Sequence, residues 1–172
     1  MFINFSKLKW WQLGLLSLAV SAVGGLSGMK SKKNEIKLYN MQLKQAPWAP
    51  PAWLFAPAWT VNNYFLLLAL QHLLEKDIPE KKKLLLLQSM IWVIFFSFGY
   101  VYFNKKSPLL AAIWTMSDAA LAAASFYTAY KTDKKLACYY LPLLAWTTFA
   151  STIADYQALK NADPVFKTTA LL

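Results

Sequence analysis

Residues 47–60 read PWAPPAWLFAPAWT. Pro47, Pro50 and Pro51 lack the backbone N–H that a helix needs, so no helix runs through them. From Trp53 to Leu74 the chain then carries no Asp, Glu, Lys or Arg. About 20 mostly apolar helical residues cross a bilayer core, and this run is long enough. The stretch marks the point where an irregular, tryptophan-bearing segment becomes a membrane span, with Trp48 at the level of the lipid headgroups.

Working outward, four more runs meet the same test: Trp10–Met29, Leu84–Phe103, Pro108–Tyr130 and Leu136–Leu159. None keeps the two-residue alternation of a strand. Short polar breaks separate the later spans at Glu75–Lys83, Asn104–Pro108 and Lys131–Lys135, which makes neighbouring helices antiparallel. The sequence therefore predicts an all-α fold, a five-transmembrane-helix bundle forming a single membrane domain over residues 1–172. The first apolar run follows a mildly basic start, as in a signal peptide. It opens with Trp10 and Trp11 and lacks a small-x-small cleavage site, so it reads as a retained span.

Composition agrees. Of 172 residues 58% are apolar and only 15% charged, against about 25% charged in a soluble domain. The net charge of +10 comes from 18 lysines and no arginine. Nucleic-acid surfaces favour the arginine fork, whereas lysines at span ends reach lipid headgroups. The expected partner is the lipid bilayer, with no nucleic acid. Five spans put nine lysines on each side, so the positive-inside rule assigns no orientation.

Lys30–Ala52 is the one long connection. Loops longer than about 12–15 residues are often functional lids; the alternative is an interfacial tether held by Trp48. One cysteine, Cys138, and one histidine, His72, exclude an internal disulfide, a cysteine-based zinc site and a histidine metal cluster. His72 reads as a wetted residue at a span end. Cys138 reads as a small lipid-facing or packing residue, or as a thiol whose Lys134 and Lys135 neighbours make it more acidic.

Asp118 falls mid-way along the fourth span. A carboxylate at that depth is costly and faces the bundle interior or a cavity. Thr115, Ser117 and Ser125 on its own helix, and Asn62 or Asn63 on another, are its expected partners. Two readings stand: a polar floor or proton-sensitive group in a ligand cavity, and an interhelical clamp. Trp59, Trp92, Trp114 and Trp146 lie within spans, unlike Trp10, Trp11, Trp48 and Trp53 near span ends. Several indole faces around one hollow would suit a planar hydrophobic ligand, and helix packing explains any one of them equally well.

The opening stretch resembles the signature of the TspO/MBR family, the tryptophan-rich sensory and translocator proteins, roughly W-x-P-P-x-W-x-F-x-P-x-W-T. Trp48, Pro50, Pro51, Trp53, Phe55, Pro57, Trp59 and Thr60 match it. Pro142–Asn161 resembles the family's fifth-span pattern at Pro142, Leu144, Trp146, Phe149 and Ala150. The resemblance implies a five-helix bundle, often a homodimer, that binds porphyrins or other hydrophobic molecules, sterol-like lipids among them, under a lid made by the first loop. It implies that Trp59, Trp146 and Ala150 line the cavity, that Trp48, Pro50, Pro51 and Trp53 form the lid and hinge, and that Tyr39 stands near the family's W-Y pair. Departures lie at Asn62 and Asn63, where the family has leucine and a pocket tyrosine, and at Ala154, where it has asparagine. Trp114 replaces an acid that some members carry, with Asp118 one turn later on the same face.

The expected function is an integral membrane binding protein, sensor or transporter for a planar hydrophobic ligand such as a porphyrin or haem-like tetrapyrrole. No cofactor is required, and the expected location is a bacterial inner membrane. Light- or oxygen-dependent porphyrin breakdown is the enzymatic alternative, although no catalytic set is visible. A divergent structural protein without a ligand is the third.

Overall fold

The computed structural model describes residues 5–28, 41–170 and 172; Tyr39 and the first-loop residues 29–40 lie outside the described residues. Helix α1 is Trp10–Leu26, α2 is Phe55–Glu75, entered through a tight turn at Ala52–Leu54, and α3 is Lys81–Gly99, which continues as a wider turn over Tyr100–Asn104. Helices α4 and α5 are Pro108–Thr132 and Lys134–Lys160. Among the described residues, four of these five helices are long and apolar enough to cross a membrane, and α1, at 17 residues, is shorter. That length is the short limit of a span; the helix gives out where Gly24, Gly25 and Gly28 gather. The bundle matches the expected five helices.

The ends are chemically specified. Ser107 caps α4 by accepting from the Leu110 amide at 3.1 Å, with Pro108 in the first turn. Asp133 caps α5 by accepting from the Leu136 amide at 3.0 Å. Lys81–Lys83, expected in a break, instead open α3; lysine is a good helix former, so the helix runs past the apolar limit into the wet layer.

The helices close into a ring in the order α1, α2, α5, α4, α3 and back to α1. In hydrocarbon no hydrophobic drive holds helices together, so close approach and hydrogen bonds must. The α4–α5 contact is the most extensive, and Ala111, Ala122, Ala129 and Ala137 are all buried. Between α3 and the end of α1 the approach is also close: a Cβ on Gly99 would stand 2.8 Å from the Gly28 amide, and one on Gly24 would overlap the Phe95 ring.

The two ends of the ring differ. At the end holding the α2–α3 and α4–α5 turns, Leu66, Leu73, Leu84, Leu136, Tyr140 and Leu143 pack into one buried cluster. There the Tyr140 hydroxyl donates to Gln88 Oε1 (2.9 Å), and Gln88 Nε2 donates to the Leu66 carbonyl (2.8 Å). At the opposite end the ring is hollow.

Candidate functional site: the cavity at the open end

The hollow has a volume of about 650 Å³ and takes walls from all five helices. Residue size explains why side chains do not fill it. Helix α1 turns Ser21, Gly24 and Gly25 toward it, the turn after α1 adds Gly28, and α5 turns Ala150 and Ala154. Between these small residues stand aromatic walls. Trp59 meets Phe95 with ring centroids 4.9 Å apart, and Phe55 meets Trp146 edge-on at 5.4 Å. The hydroxyls of Thr60 and Thr115 bond backbone carbonyls of their own helices, so they add little polarity to the wall. Gln157 accepts from the Tyr102 hydroxyl at 3.1 Å and donates to Gln45 Oε1 at 2.7 Å. The cavity is therefore largely apolar with a few fixed polar groups, the composition of a small-molecule pocket.

The described part of the first loop is tied to the end of α5. The Asn161 amide bonds Lys44 twice, accepting from its N–H at 2.7 Å and donating to its carbonyl at 3.1 Å. The Trp48 indole donates to the Thr152 hydroxyl at 3.1 Å and meets the Tyr156 ring edge-on. Beyond α5, Asp163 accepts from Ser107 Oγ and the Leu109 amide with one oxygen, and from the Val165 and Phe166 amides with the other. Burial opposes its ionisation, but these donors together hold its carboxyl below the usual range. This joins the chain after α5 to the start of α4.

Of the residues singled out in the sequence, Trp59, Trp146, Ala150 and Trp53 line the cavity. Trp48, Pro50 and Pro51 do not; they belong to the strap that reaches α5. Asn63 lies behind the wall as a junction of three helices. Its Nδ2 donates to Ser21 Oγ at 3.1 Å, and its Oδ1 accepts from the Trp92 indole at 3.3 Å. Trp114 donates to Ser97 Oγ at 2.9 Å, tying α4 to α3. Asn62 faces a separate groove between α2 and α5.

Asp118 is 2% exposed, is not among the cavity walls, and its Oδ1 has no hydrogen-bond partner among the described residues. Its expected partners turn elsewhere: Ser125 and Thr115 donate to carbonyls of their own helix, and Asn63 to Ser21. The floor over Asp118 that the sequence had raised is not formed.

His72 is buried rather than wetted, 6% exposed. It sits against the Asp133 carboxylate at 2.7 Å and edge-on to Tyr139. Sequence reasoning missed Phe55, Phe95, Tyr102 and Gln157 as walls. Continuing the α5 face from Trp146 and Ala150 at helical spacing leads to Gln157; nothing in the sequence marked the α3 residues.

Residues 15–157 match the model of the TspO/MBR family. No curated protein matches the chain.

Proposed function

The chain belongs to the TspO/MBR family and is an integral membrane protein, and from that premise we propose that its cavity binds a planar hydrophobic molecule of the porphyrin class, for sensing or transport. One observation carries the reading: a hollow of about 650 Å³ placed between facing aromatic walls, Trp59 with Phe95 and Trp146 with Phe55. Pockets for such ligands occupy about 300–1,000 Å³ and fix orientation with few polar groups, which Gln157 and Tyr102 supply here. A cavity packed with side chains would have favoured a purely structural role. The family resemblance extends the proposal to a homodimer in a bacterial inner membrane, and native mass measurement in mild detergent tests the dimer.

The test of binding is tryptophan fluorescence titrated with protoporphyrin. Saturable quenching is expected for the unaltered protein, with affinity weakened about tenfold in Trp59→Ala and in Trp146→Ala. An unsaturable response, or one that both variants leave unchanged, contradicts the proposal.

A further inference from the structure

A second hollow of about 430 Å³ lies between α2 and α5 and is separate from the central cavity, although Trp146 lines both. Ala58 and Val61 come from α2, and Pro142, Ala145 and Phe149 from α5. Val61 and Phe149 are exposed on the outer surface of the ring, so the groove faces lipid. No charged side chain lines it.

Asn62 is out of place there. It is 2% exposed, lines the groove, and makes no side-chain hydrogen bond among the described residues. At a rise of about 1.5 Å per residue it lies about 10 Å along α2 from Phe55, inside the hydrocarbon layer. An amide without a partner is costly at that depth. Asn63 beside it shows the usual solution, with both ends of its amide bonded to other helices. Pro142, inside α5 and on the groove wall, has no backbone N–H to give to the helix.

We infer that this groove binds a neutral, hydroxyl-bearing single-chain lipid, whose chain lies along Ala58, Val61 and Phe149 and whose hydroxyl pairs with the Asn62 amide. A hydroxyl both donates and accepts, so it suits an amide that has lost both kinds of partner. An ionised headgroup does not suit a groove without a countercharge.

The experiment is native mass spectrometry of delipidated protein titrated with monoolein, and with methyl oleate, which keeps the chain and lacks the hydroxyls. Monoolein is expected to be retained at least about tenfold more tightly than methyl oleate. Asn62→Leu should remove that preference, and Ala145→Trp, a lipid-facing change that fills the groove without touching the amide, should lower monoolein retention. Equal retention of the two lipids, or full retention in Ala145→Trp, overturns the assignment. So does a change in oligomeric mass in Ala145→Trp, which would make the groove a contact between copies of the chain.

Discussion

His72 donates its Nε2–H to the Asp133 carboxylate across 2.7 Å, joining the end of α2 to the residue that caps α5. Lys76 approaches the same oxygen at 3.5 Å. One carboxylate thus closes the packed end of the ring. The His72 hydrogen bond is the main influence holding the Asp133 carboxyl well below the usual range, against the opposing effect of burial, with help from the Leu136 amide and Lys76.

A carboxyl whose folded pKa is depressed gives stability that is complete above its unfolded value, near pH 4. That stability is lost as the pH falls through the folded value. Asp133→Asn should therefore cost about 1–3 kcal/mol at pH 7. Its melting temperature in detergent should approach that of the unaltered protein as the pH drops below about 4. A gap that stays constant from pH 7 into strong acid would show that Asp133 is not titrating in this role.

Asn161→Ala removes both bonds to the Lys44 backbone. The expected result is faster amide exchange over residues 44–51, with opening made easier by about 1–3 kcal/mol, and little change in helix α4. Exchange rates unchanged over the strap would mean that Trp48 and Gln45 hold it without Asn161.

Gly99→Ala puts a methyl group against Ser27 and the Gly28 backbone. Backbone cannot yield as a flexible side chain does, so α1 and α3 must separate at a cost of about 1–3 kcal/mol. Thermal unfolding in detergent measures it. Gly14, with nothing within 4 Å of its added Cβ, serves as the control, and Gly14→Ala should be neutral or slightly stabilising.

Ala150→Trp fills the hollow from α5 without removing an aromatic wall. Protoporphyrin quenching should fall about tenfold or more in affinity while the fold, followed by circular dichroism, is kept. Undiminished quenching would place the ligand outside the cavity.

Much of the architecture was legible because crossing a membrane is a local requirement. Each span announces itself by the length and apolarity of its own run, and the structure returns α2, α4 and α5 within a few residues of the expected limits. The cavity tryptophans were legible for another reason: Trp59 and Trp146 sit in motifs whose spacing survives. What the sequence alone determined was five apolar helices, their antiparallel succession and the strap before α2. Only the tertiary structure decided the ring order and the face each helix turns inward, because those depend on how each helix is rotated against its neighbours. Asn62 and Asn63 make the point: successive residues are rotated by about 100°, so one lies in a lipid-facing groove and the other ties three helices together. Asp118 makes it again, since its depth was readable but its absence from the cavity wall depended on how α4 is rotated. At the open end, the same rotation turns glycines of α1 and alanines of α5 to one hollow, where their small size leaves space among the aromatic rings.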